Sequence, residues 1–85
     1  MSYWVYMLRC ADDTLYTGST TDPKKRLAVH QSGKGAKYTR SRLPVRLVYQ
    51  EETADKSAAL KREAAIKKLS REEKLQLILT AETGN

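Results

Sequence analysis

Three groups of residues in this sequence have types and spacings suited to chemistry. Arg26 and His30 stand four positions apart, so on a helix they share one face, one turn apart. Arginine grips phosphate through two parallel hydrogen bonds, and a histidine beside it can pass a proton near neutral pH. The plainer alternative is a solvated basic helix face. Glu63 lies in a run that reads as helix. At about 100° per residue, Ala59, Leu60 and Ile66 fall at about −40°, +60° and −60° around it. The carboxylate then sits inside the apolar stripe, where an unpaired charge is costly and requires a cation, a metal or strong donors. An ion pair with Lys67, one turn on, would satisfy it without chemistry. A lone carboxylate with open positions could instead anchor Mg²⁺ when substrate phosphate supplies further oxygens. Tyr6 and Tyr16 lie on two runs that read as a strand hairpin. A two-residue loop at Asp12 and Asp13 would put them on opposite faces of the sheet. A three-residue loop from Asp12 to Thr14 would put Tyr16 opposite Cys10 and on the face of Tyr6. Joint chemistry requires the odd loop, or a bulge with the same effect.

The elements that must position these residues follow from local pattern. Tyr3 to Cys10 is aromatic and branched, as suits a central strand covered on both faces. Leu15 to Thr20 makes the second strand. Asp22 as N-cap and Pro23 at the first helical position start a helix that ends at Gly33. Gly33 to Pro44 reads as a basic loop and Val45 to Gln50 as a third strand of less clean alternation. A helix starts near Thr53 to Asp55 and runs to Leu69. Ser70 and Glu73 form a capping box for another, over about 70–79, that carries Leu75, Leu77, Ile78 and Leu79. The expected fold is α+β, a three-stranded antiparallel sheet flanked by three helices in the order β-β-α-β-α-α.

With 85 residues there is room for one domain, 1–85, with a single modest core. No apolar run approaches the ~20 residues that cross a bilayer, and the N-terminus lacks a secretory layout. One cysteine and one histidine exclude an internal disulfide and a structural zinc site. A soluble cytoplasmic domain is the class left. Its net charge of +6 is not spread evenly. Between positions 24 and 46 stand Lys24, Lys25, Arg26, Lys34, Lys37, Arg40, Arg42 and Arg46, with no acid among them. A solubility device would mix both signs, so this stretch reads as a polyanion-binding surface. Tyr38 within it could stack on an unpaired base.

Trp4-Val5-Tyr6, then Tyr16-Thr17-Gly18, then Arg26, His30 and a helical Glu63 together resemble the GIY-YIG endonuclease family. The motif-bearing region covers about 3–69, and the chain resembles the small stand-alone bacterial members. The resemblance implies a three-stranded antiparallel sheet flanked by helices, in agreement with the order above. It also implies cleavage of phosphodiester bonds with a single divalent ion, Mg²⁺ or Mn²⁺, held by Glu63. Arg26 would stabilise the phosphate or the leaving group, Tyr6 and Tyr16 would share activation of the attacking water, and His30 would assist. For such a phenol to take a proton, nearby cations must lower its pKa from about 10. The substrate would be nucleic acid, DNA rather than RNA, chosen by structure rather than sequence, with a protein partner supplying targeting. Lys24, Lys25, Lys34, Lys37, Tyr38, Arg40, Arg42 and Arg46 would track its backbone. Three departures stand out: Trp-Val replaces Gly-Ile, Ser19 follows the second motif where many members have lysine, and no asparagine follows Glu63 before Asn85. A non-catalytic nucleic-acid-binding module that keeps the fold and the basic surface is the alternative, and a basic adaptor for an acidic protein a third.

Overall fold

Strand β1, Tyr3–Arg9, runs through the middle of the computed structural model, which describes residues 2–83 and the side chains of 2–81. β2, Leu15–Thr20, and β3, Arg46–Thr53, pair with it antiparallel on either side, in the order β2-β1-β3. The central position explains the near-continuous apolar run, since Val5, Tyr6, Met7 and Leu8 are all buried, alternately on the two faces. The hairpin loop is the odd one, but it is Ala11-Asp12-Asp13, one residue earlier than the expected Asp12 to Thr14. The Cys10 amide donates to the Thr14 carbonyl at 2.9 Å, and the Asp13 amide donates to the Cys10 carbonyl at 2.9 Å. Asp13 closes the turn at φ 71°, and the Asp12 carboxylate accepts from the Thr14 amide at 3.2 Å. Tyr16 therefore faces Leu8 and Tyr6 faces Gly18, so the two phenols share a face as the chemistry requires.

A bulge between Met7 and Leu8 inserts one extra residue into β3. It turns Leu47 toward the Tyr6 face while Tyr49 and Val48 join the other, which is why the strand alternates imperfectly. The first face, with Val5, Met7 and Tyr49, is covered by α3, Lys56–Lys67, and α4, Arg71–Thr83, through Ala59, Ile66 and Ile78. The second, with Tyr6, Leu8, Cys10 and Val45, is covered by α1, Pro23–Gln31, and the segment after it. That segment corrects the expected count of helices from three to four among the described residues. Within the supposed loop, Lys37–Arg40 form a single short helix, α2. Four residues carry no readable periodicity, and α2 is held instead by a tertiary contact described below.

The three longer helices start as their sequences dictate. Asp22 accepts from the Lys25 amide at 3.2 Å and Asp55 from the Ala58 amide at 2.8 Å. In the Ser70/Glu73 box the bonds are 2.9 and 3.2 Å. β3 reaches Thr53 and α4 reaches Thr83, both beyond their expected ends at Gln50 and 79. One core residue is mismatched to its surroundings. Thr17 is 4% exposed on the α3 face, and its hydroxyl has no partner among the described residues. Thr17→Val keeps the shape and removes the unmet hydroxyl, so the midpoint of thermal unfolding should rise by the equivalent of about 1 kcal/mol.

Candidate active site

Four side chains meet on the second face of the sheet. The Tyr6 and Tyr16 rings lie 6.4 Å apart between centroids, and the His30 ring is 6.1 Å from the first and 5.2 Å from the second. The Tyr6 hydroxyl and His30 Nε2 are hydrogen-bonded at 3.0 Å. Arg26, one turn before His30 on α1, brings its guanidinium to the Tyr6 hydroxyl. Tyr6 is 1% exposed and His30 fully buried, and burial decides their protonation. Desolvation raises the Tyr6 pKa above 10.0, and the partial opposition of Arg26 does not reverse it, while the Tyr16 and Glu63 charges add to the rise. Burial, then the Arg26 charge, lowers His30 below 6.5. The resting site at neutral pH is thus a protonated phenol bonded to a neutral imidazole. The condition that nearby cations lower the phenol pKa is therefore not met at Tyr6, where burial outweighs Arg26.

Two glycines leave room for this arrangement. A Cβ on Gly18 would lie 2.6 Å from the Tyr6 hydroxyl oxygen and 2.8 Å from its Cζ, because the ring lies across the glycine it faces. Gly18 thus accommodates Tyr6. A Cβ on Gly35 would lie 2.4 Å from His30 Nδ1 and 2.9 Å from the His30 Cα, so the chain after α1 passes directly over the imidazole. Sequence reasoning missed Gly35 and also Thr39, which is fully buried with its hydroxyl 2.8 Å from His30 Nδ1. Only the return of α2 onto α1 reveals them; the paired glycines at 33 and 35 are the one sequence signal.

Glu63 comes from the other side of the sheet. Ala59 and Ile66 are fully buried, but Leu60 is 49% exposed, so the buried stripe of α3 is centred away from Leu60. Glu63 lies on one shoulder of that stripe, at its edge and not inside it, and Arg62 on the other. Arg62 reaches toward β3, where its Nε bonds both carboxylate oxygens of Glu51 at 3.0 and 3.2 Å. Glu63 is thereby directed to the opposite side, the β2 edge. Its side chain is 17% exposed and pairs with Lys67 at 2.8 Å. No group of three or more His, Cys, Asp or Glu that could hold a metal ion occurs among the described residues. A lone carboxylate of hard oxygens fits Mg²⁺, which takes few protein ligands, and Glu63 would hold it only if its pairing with Lys67 gave way.

The predicted basic residues divide into three sets. Lys24, Lys25, Lys34, Lys37 and Arg40 are exposed on α1, α2 and the turn between them, on the tyrosine side. Tyr38, 39% exposed, lies 5.9 Å from the Tyr16 ring and links this rim to the site. Arg42 is engaged internally, 4.0 Å over the Tyr38 ring, paired with Asp12 at 3.0 Å and donating to the Tyr38 carbonyl at 2.8 Å. Arg46 faces Arg9 across the ladder and lines a groove with Leu75 and Ile78 of α4, on the opposite face. Arg46 thus lies apart from the cationic rim, whereas Arg42 lines a pocket with Lys37, Tyr38 and Arg40 of that rim with its guanidinium already engaged.

Known proteins share this chain's pattern. Residues 2–76 match the family described as the GIY-YIG catalytic domain. A UPF0213 protein of Natronomonas pharaonis is 55% identical over 82 residues, 96% of this chain and 95% of that one. Another, of Syntrophus aciditrophicus, is 62% identical over 76 residues, 88% and 87% of the two chains. Among solved structures, the solution NMR structure of a UPF0213 protein from Bacillus halodurans is 49% identical, with a TM-score of 0.59 over 92% of this chain and 83% of its own. That of a protein from E. faecalis is 44% identical, with a TM-score of 0.65 over 98% and 88%.

Proposed function

The chain belongs to the GIY-YIG catalytic-domain family, a nuclease family, and on that premise we propose that it hydrolyses phosphodiester bonds of nucleic acid with a divalent cation. The observation that carries this reading is the meeting of Tyr6, Tyr16, Arg26 and His30 on one face, within electrostatic reach of Glu63 and beside an acid-free cationic rim. Glu63 would hold Mg²⁺ or Mn²⁺, which when bound supplies Lewis-acid stabilisation of charge on the phosphate and leaving oxygen. Arg26, already beside the Tyr6 hydroxyl, is placed to donate to phosphoryl oxygens as charge grows on them. Tyr6 and His30 hold the proton-accepting end of the site, and Tyr16 packs against both rings. Lys24, Lys25, Lys34, Lys37 and Arg40 track the backbone, and Tyr38 lies where the rim meets the site.

DNA with single-stranded or branched features is the favoured substrate. The rim is built on α1 and on α2, which has only four residues, so it offers phosphate contacts without a helix shaped to read a groove. A protein partner that supplies targeting is part of this reading. No helix among the described residues is long and apolar enough to cross a membrane.

The test is cleavage of flap and branched DNA by the purified chain. Mg²⁺ or Mn²⁺ should support cleavage, and EDTA and Glu63→Gln should each abolish it. Activity that survives Glu63→Gln would come from a contaminating nuclease and would remove the support for catalysis. Binding should weaken with salt at a log–log slope near about −3.6 if about four rim cations meet phosphates. Such binding without cleavage would point to a module that kept only the surface.

A further inference from the structure

The mechanism leaves the buried hydroxyl beside His30 unused. Thr39 sits on the side of His30 away from Tyr6, with its Oγ1 2.8 Å from His30 Nδ1 and 3.0 Å from the Ala36 carbonyl oxygen. A hydroxyl has one proton to give, and a carbonyl oxygen can only accept. Thr39 therefore donates to Ala36 and accepts from His30 Nδ1–H. In the reverse arrangement, with Thr39 donating to Nδ1, two acceptor oxygens would face each other at 3.0 Å. With the proton on Nδ1, the neutral ring presents a bare Nε2, and Tyr6 must donate to it at 3.0 Å. The groups around the ring agree with a neutral imidazole: Tyr6 from β1, Tyr16 from β2, Thr39 from α2 and the Arg26 cation on its own helix. Gly35 allows the chain to close over the imidazole and bring Thr39 into place.

The geometry points to Thr39 as a positioning residue that fixes the proton of His30 on Nδ1, so that Nε2 receives the Tyr6 proton when the attacking water is deprotonated. This rests on the hydrolytic reading for its catalytic meaning, but the tautomer itself does not. In the reaction, a water O–H bond breaks and its proton passes to the Tyr6 oxygen as the phenol's own proton moves to His30 Nε2. The hydroxide electron pair forms the new P–O bond. The bond to the leaving sugar oxygen breaks with its pair, and that oxygen takes a proton from solvent. His30 then returns its proton to solvent. The chain of donors runs one way, from Tyr6 through His30 and Thr39 to the Ala36 carbonyl, so the Tyr6 oxygen is left as an acceptor toward the substrate side.

His30 is the only histidine, so ¹⁵N-histidine labelling gives a single ring to follow by NMR. At pH 7.5 or above the wild type should show the proton on Nδ1. Thr39→Ser should keep it there, and Thr39→Val should shift the population toward Nε2–H. With flap DNA and Mg²⁺, kcat of Thr39→Val should fall about ten- to a hundredfold with KM little changed, and Thr39→Ser should recover most of it. A wild-type ring protonated on Nε2 would overturn the proposal whether or not Thr39→Val folds, as would a tautomer unchanged in a folded Thr39→Val. Should the wild type cleave nothing while its proton sits on Nδ1, the hydrolytic reading fails and the positioning by Thr39 stands as a structural fact.

Discussion

Arg26→Ala should lower kcat for DNA cleavage by about 10²- to 10³-fold, the usual cost of removing one donor aimed at developing oxyanion charge. Arg26 is half-buried on α1, and it acts in three directions at once. It brings a fixed positive charge to the place where phosphoryl charge would grow, it partly offsets the burial that raises Tyr6, and it helps keep His30 neutral. Arg26→Lys should recover little of the rate, because an ammonium cannot make the two parallel hydrogen bonds of a guanidinium. A second signature is independent of turnover. Removing a neighbouring cation favours the charged imidazole, so the His30 pKa should move upward in Arg26→Ala when followed by NMR titration. DNA affinity should change far less than the rate, since the exposed lysines of the rim remain. An Arg26→Ala rate within tenfold of the wild type would remove Arg26 from the catalytic machinery.

Gly18→Ala should damage both stability and activity. Its Cβ would sit 2.6 Å from the Tyr6 oxygen and 2.8 Å from the ring, well inside contact distance. The phenol has no free direction in which to retreat, because it is 1% exposed and tied to His30. Overpacking of this kind costs about 1–3 kcal/mol, visible as a lower midpoint in thermal or urea unfolding. Moving the phenol also breaks the bond to His30, so cleavage should fall by about 10²-fold or more even where the fold survives. A double-mutant cycle separates the two effects. Tyr6→Leu in the Gly18→Ala background should cost less stability than the two single changes added together, since the clash is with the ring. Activity should stay lost in the double variant. A Gly18→Ala protein as stable and as active as the wild type would show that the Tyr6 ring does not lie across position 18.

Both predictions turn on contacts between segments distant in sequence, and this is where sequence and structure divide. The residues at 6, 16, 26, 30 and 63 were legible as an ordered set, because together they resemble the GIY-YIG motifs, while each taken singly had a plainer reading. The strands and the three longer helices were legible from periodicity, Asp22, Asp55 and the Ser70/Glu73 box, since capping and amphipathicity are local. The face shared by Tyr6 and Tyr16 was not. It depended on a hairpin loop length that Ala-Asp-Asp-Thr leaves open, and the backbone at Asp13 settled it. Arg42 and Arg46 show the same limit. Both lie in the acid-free stretch, but Asp12 and the Tyr38 ring engage one, and the β3 register puts the other beside α4. Thr39 is the clearest case: as a residue type it announces nothing, and its meaning comes from the single hydrogen to which the Ala36 carbonyl and His30 leave one arrangement. The amino acids by themselves determined which groups could do chemistry and which local elements carry them. Only the folded chain decided which of those groups touch, because register, burial and proton direction are properties of pairs of segments and not of either segment alone.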